Sequence, residues 1–99
     1  MPTFAVTPRF RQDLKSLTPQ QRRRFENVVR NDFVPDIESG QFRASLRVKR
    51  VQSTAVVFEM SWAPDGRATW QYGSQIRPGV RHVIWRRIGT HSIFSPGPP

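Results

Sequence analysis

The chain contains no cysteine in its 99 residues. That excludes a disulfide framework, a thiolate zinc site and a cysteine nucleophile, and it suits a reducing compartment. Lysine is almost absent too: Lys15 and Lys49 are the only two among sixteen basic residues. Acidic residues number only seven, so the net charge is +9. No apolar run approaches the roughly 18 residues of a membrane span, and the first residues hold no apolar signal-peptide core. These absences predict a soluble cytoplasmic protein with no membrane association.

What is present is arginine. Its flat fork of donors grips phosphate bidentately, whereas lysine acts as a mobile point charge. The charge is also uneven. Residues 1–40 carry seven basic and five acidic groups, a net of +2, and residues 41–99 carry nine and two, a net of +7. A basic C-terminal half predicts a polyanionic partner, nucleic acid before an anionic membrane surface. Hydrophobic residues make up 36% and aromatics 11%, enough for a packed interior. The length fits one domain over 1–99, with 95–99 as a flexible tail.

The first forty residues have helical periodicity. After the β-prone "TFAV" (Thr3–Val6), Thr7 is an N-cap with Pro8 at the first helical position. Phe10, Leu14 and Leu17 then recur on one face. Thr18, Pro19 and Gln21 start a second helix with a capping box. Its apolar stripe is Phe25, Val28, Val29 and Phe33, and Glu26 is spaced to pair with Arg22 or Arg30. Arg22, Arg23 and Arg24 form a solvated face. Pro35 and "ESG" (Glu38–Gly40) end the helical hairpin.

From Phe42 the period becomes two. "FRASLRVKRV" sets Ala44, Leu46 and Val48 against Arg43, Ser45, Arg47 and Lys49. "TAVVFEMSW" groups Val56, Phe58, Met60 and Trp62, with Val57, Glu59 and Ser61 opposite. Asp65-Gly66 signals a hairpin turn, and "RATWQYG" alternates Ala68, Trp70 and Tyr72 with Arg67, Thr69 and Gln71. The last strand, "RHVIWRRIG", has no clean alternation, so either Arg86 or Arg87 is left facing outward. Burying these faces predicts an α+β fold: a short N-terminal strand and a two-helix hairpin packed on a twisted antiparallel sheet. The outer sheet face would collect Arg43, Arg47, Lys49, Glu59, Arg67 and Gln71. Like charges facing one another destabilise a sheet unless an anion neutralises them, so this face is a candidate polyanion-binding surface.

The "VTPRFRQDLKSLTPQQRRRFENVV" front, the central "GRATWQYG" and above all the closing "VIWRRIGTHSIF" resemble the RelE/ParE toxin superfamily of bacterial type II toxin–antitoxin systems, over roughly Phe4 to Phe94. The resemblance implies a β-α-α-β-β-β order. It implies a small basic ribonuclease that enters the ribosomal A site and cleaves mRNA without a metal or other cofactor, through attack by the substrate's own 2′-hydroxyl. It implies a cognate antitoxin, encoded next to it, that covers the basic surface.

The resemblance also implies roles for particular residues. Arg67 would face the scissile phosphate, with Arg86 or Arg87 as a second fork. His91 would serve as acid or base, Glu59 as a base on the adjacent strand, and Phe94 as a stacking platform for a nucleobase. Some members end in a catalytic tyrosine. Here the single tyrosine, Tyr72, falls on the core side by alternation. Two other functions fit the same scaffold: a ParE-like inhibitor of DNA gyrase, and a non-catalytic RNA- or partner-binding module.

Overall fold

A computed structural model describes residues 1–95 and 98–99. The chain runs β1 (Thr3–Val6), α1 (Pro8–Lys15), α2 (Pro19–Val28), a π-turn (Val29–Phe33), α3 (Val34–Ser39), a 3-10 turn (Ala44–Leu46), β2 (Lys49–Arg50), β3 (Phe58–Ser61), β4 (Gly66–Gly73), β5 (His82–Thr90) and a final 3-10 turn (His91–Phe94). It is an α+β fold with a five-stranded sheet in the order β1-β5-β4-β3-β2. Strands β2 to β5 pair antiparallel, as expected, but β1 lies parallel to β5. The sheet is therefore mixed. No helix among the described residues is long and apolar enough to cross a membrane.

The helix starts follow the local chemistry. The Thr7 hydroxyl accepts from Phe10 N at 3.1 Å. At α2, Gln21 N donates to the Thr18 hydroxyl and Thr18 N donates to Gln21 Oε1, a complete capping box worth about 1 kcal/mol. Arg22 forms no ion pair with Glu26. Its Nη1 instead donates to the carbonyls of Leu14 and Leu17, each at 3.1 Å, and so caps the end of α1. A fork of donors satisfies helix-end carbonyls that would otherwise lack partners.

Pro35 does not end the helical segment. The backbone widens into the π-turn, where Val34 N–H reaches back to the Val29 carbonyl, and Pro35 falls in the first turn of α3. There its missing N–H and ring are tolerated. The helix stops at Gly40, whose φ of 79° is the left-handed cap geometry that glycine supplies freely.

The core lies between the helices and the inner sheet face. Phe10, Phe25, Phe33 and Ile37 pack on Met60, Trp70, Val83, Trp85 and Ile88. Phe33 sits 5.0 Å from Trp85 and 5.1 Å from Trp70, centroid to centroid, and Phe25 lies edge-on to Trp85 at 5.2 Å. Aromatic pairs of this geometry add about 0.5–1.5 kcal/mol each beyond the area they bury.

The segment expected to form a strand from Phe42 onward departs most from the sequence pattern. Only Lys49 and Arg50 pair with β3. Arg43 N donates to Asp36 Oδ2 at 2.8 Å, so it is committed to α3 rather than to a ladder. Its guanidinium holds Asp36 at 2.8 and 2.9 Å and Asp32 at 2.9 Å. These bonds keep the Asp36 carboxyl below its usual range. Leu46 is buried but Ala44 is exposed, and Arg47 has a left-handed backbone, φ 50°. Val56 likewise leaves its expected apolar face, being 60% exposed ahead of β3.

Candidate nucleic-acid cleft

Strands β3 and β4 set the candidate site. Register places Lys49 opposite Glu59, Glu59 opposite Thr69, and Ser61 opposite Arg67, while Arg67 pairs with Gly89 on β5. Glu59, Ser61 and Arg67 therefore share the outer face. They line a cleft of about 320 Å³ with Arg47, Val48, Lys49 and His91. Three cations, a carboxylate, a hydroxyl and an imidazole converge there.

Each of these side chains is held differently. The Arg67 Nη1 donates to the carbonyls of Gly66, Pro64 and Ala63 at 2.9, 3.2 and 3.4 Å. That anchors one corner of the guanidinium on the β3–β4 turn, and Nε and Nη2 have no hydrogen-bond partner among the described residues. The Arg67 carbonyl in turn accepts from Trp62 Nε1 at 3.0 Å, which ties the strand to the core. Glu59 is largely enclosed, with its Oε1 3.9 Å from Lys49 Nζ.

His91 is exposed and opens the final 3-10 turn. The Thr90 hydroxyl caps that turn by accepting from Ser92 N at 3.3 Å. Phe94 sits edge-on to the His91 ring at 5.3 Å. The turn fits closely on the strand: a Cβ at Gly89 would lie 2.9 Å from Ile93 Cγ2. Glycine at that position is what lets the segment bearing His91 fold over the end of β5.

The other sequence-derived candidates lie elsewhere. Arg43 is bound to α3 as described, so it does not belong to the outer face. Arg86 and Arg87 are separated by a register irregularity: Thr69 pairs with Arg87 but Trp70 pairs with Trp85, leaving Arg86 as an extra residue. Such a bulge shifts the alternation along one strand, which explains why the sequence pattern did not choose between the two arginines. Arg86 Nη1 donates to Gln71 at 2.6 Å and Arg86 Nε to the Pro99 carbonyl at 3.0 Å. Gln71 is thus engaged away from the cleft. Of the tail expected at 95–99, Pro96 and Gly97 lie outside the described residues.

Arg87 turns toward α1. Its Nε donates to Asp13 Oδ2 at 2.7 Å, and the two side chains are only 11% and 13% exposed. The same carboxylate oxygen accepts from Ile88 N at 3.1 Å, and Arg87 Nη1 reaches the Ile93 carbonyl at 3.4 Å. Strand β1 ends at Val6, opposite Trp85, so the edge of β5 beyond it has no strand partner. Asp13 supplies that partner from α1. Arg87 therefore joins α1, β5 and the His91 turn rather than lining the cleft. Tyr72, expected in the core, is 40% exposed and lies under the Arg81 guanidinium at 5.7 Å. Ser61 was singled out by no motif, although it shares parity with Glu59.

The mixed sheet with a helical layer on one face is a fold found in solved toxin structures. The chain is similar to E. coli YafQ (TM-score 0.64, 14% identity, covering 96% of this chain and 99% of that one). It is equally similar to a Helicobacter pylori toxin (TM-score 0.65, 15% identity, 93% and 97% covered). A chain of the Methanococcus jannaschii RelB–RelE antitoxin–toxin complex matches at TM-score 0.62 with 16% identity, covering 95% and 99%. No family model matches the chain, and no curated protein matches it. The shared property is the fold.

Proposed function

We propose that the chain is the toxin of a type II toxin–antitoxin pair and that it cuts mRNA on the ribosome, in the cytoplasm, without a metal. The carrying observation is the cleft in which Arg67, Arg47 and Lys49 meet Glu59 and His91. The fold shared with YafQ and RelE supports the toxin assignment.

The chemistry follows from the residues. The substrate's 2′-oxygen attacks the adjacent phosphorus as Glu59 accepts the 2′-OH proton. The bond to the 5′-oxygen breaks, and that oxygen takes a proton from the His91 imidazolium, leaving a 2′,3′-cyclic phosphate. The free edge of Arg67, with Arg47 and Lys49 beside it, stabilises the charge of the pentacoordinate phosphorane; each well-placed donor contributes about 3–4 kcal/mol. Phe94 orients His91 and offers an aromatic face to a base. Arg86 and Arg87 hold the strand and the final turn. The antitoxin presents an acidic segment to the cleft, and its binding weakens as salt rises.

Primer extension on mRNA from a translating extract tests this reading. The wild-type protein produces cuts within the message, and Arg67→Ala and His91→Ala each abolish them. Cuts that persist in both variants refute the reading. A second reading, a non-catalytic module that binds RNA or a partner, is favoured by one observation: Arg87 is tied to Asp13, so a second phosphate fork from β5 is missing. Overexpression without growth arrest would point to it, and arrest with loss of DNA supercoiling and intact mRNA to a gyrase-directed toxin.

A further inference from the structure

The cleft does not end at Ser61. A second basin of about 250 Å³ lies between α2 and the β3–β4 turn, with Arg24, Val28, Leu46 and Trp62 in its wall. Arg47 and Ser61 line both basins. The passage between them exists because β2 is so short. Continuing the pairing of Lys49 with Glu59 would set Val48 against Met60 and Arg47 against Ser61. The left-handed turn at Arg47 takes the chain away before those pairs form, so the edge of β3 is left open at its last two residues. A non-glycine residue with positive φ carries a local conformational cost of about 1 kcal/mol or more. Here that cost holds a cation on the ridge shared by the two basins.

The charges of the second basin suit an anion. Arg24 and Arg47 are exposed, and neither forms an ion pair among the described residues. The one carboxylate in the wall, Asp32, is occupied by Arg43 Nη1 at 2.9 Å. A single reacting phosphate in the first basin has no use for a second cationic basin around a strand edge. A chain of phosphates does.

Resting on the reading above, we propose that the two basins form one track for a single-stranded polynucleotide. Arg47 on the ridge and Arg24 on α2 grip the backbone phosphates that flank the reacting one. Arg24 belongs to a run of three arginines, and its position on this wall separates it from Arg23 beside it.

Fluorescence anisotropy with labelled oligodeoxyuridylates, which lack the attacking 2′-OH, tests binding apart from cleavage. With an octanucleotide, Arg24→Ala is expected to weaken binding about five- to tenfold and to lower the slope of log affinity against log salt by about one. With a dinucleotide the same variant binds as the wild type, whereas Arg67→Ala weakens both probes. Arg30→Ala, a charge lost from the π-turn after α2 and outside the basin, leaves both unchanged. The track is refuted if Arg24→Ala leaves the octanucleotide untouched, or weakens it no more than Arg30→Ala does. An octaglutamate peptide that binds through Arg24 where the octanucleotide does not would also overturn it. If mRNA cutting is intact while Arg24 is irrelevant, only the track fails; if the wild type neither binds nor cuts, the functional reading fails with it.

Discussion

The arginines near the C-terminal end of the sheet fall into two groups that differ in what they hold. On β5, Arg87 and Arg86 are committed: one to Asp13 at 2.7 Å, the other to Gln71 at 2.6 Å. On the β2–β4 side, Arg47 is exposed with no ion pair among the described residues, and Arg67 keeps only one nitrogen bonded, to the carbonyls of its own turn. All are cations on or near one face of one sheet, yet the first group satisfies the protein and the second waits for something else. Charge count alone does not make a binding surface. What matters is which cations the fold leaves without an internal partner.

This contrast can be broken experimentally. The largest effect belongs to the open group. Arg67→Ala is expected to lower mRNA cleavage about 10²–10³-fold with no measurable change in melting temperature. A comparable loss of stability would place Arg67 with the committed group. The reverse is expected of Arg87→Ala, which leaves the Asp13 carboxylate enclosed without its counter-charge. Stability should fall by about 2–3 kcal/mol, which lowers the melting temperature by roughly 10 °C in a domain this small. Combining it with Asp13→Asn should cost less than the sum of the two single changes; strict additivity would deny the pair its structural role.

A smaller effect calibrates these two. Thr18→Ala removes a capping box distant from both groups and should cost about 1 kcal/mol by chemical denaturation, with cleavage unaffected. Acid titration is a finer probe of a committed arginine. Arg43 lowers the Asp36 pKa below its ordinary 3.8. A carboxyl whose pKa is lower folded than unfolded stabilises above the unfolded value, and the contribution fades as pH falls through the folded one. The wild type should therefore lose stability below about pH 4, and Asp36→Asn should show a shallower slope there. Equal slopes would mean that the Arg43 contact contributes nothing.

How much of this was legible in the sequence depends on whether local chemistry or distant partners decide. Thr7, Thr18 and Gln21 cap within three residues of themselves, so the helix starts could be read directly. The alternation of Glu59 and Ser61 against Met60, and of Arg67 against Ala68, also held, because buried partners on one face enforce it. Residues 42–48 misled because their alternation is genuine, but Arg43 bonds to Asp36 on α3 while Leu46 and Arg47 close a local turn on the carbonyls of Arg43 and Ala44. The Arg86 bulge hid the outward residue of β5 for a similar reason: one extra residue changes phase without changing composition. For the site, the sequence placed Arg47, Lys49, Glu59, Arg67 and His91 among its candidates, and all five line the cleft. Arg43, Gln71, Arg86 and Arg87 were on the same footing and lie outside it, and Phe94 is not in its lining but packs on the His91 ring. Nothing in the spacing of residues separates a free arginine from one whose acid is 74 positions away.

The left-handed backbone at Arg47 has a consequence for selection. Glycine adopts that conformation without strain, so Arg47→Gly would relax the turn while deleting the ridge cation. Libraries screened for heat resistance alone should enrich this change, and libraries screened for toxicity should purge it. Arginine at position 47 thus sets local backbone strain against a cation on the ridge between the two basins.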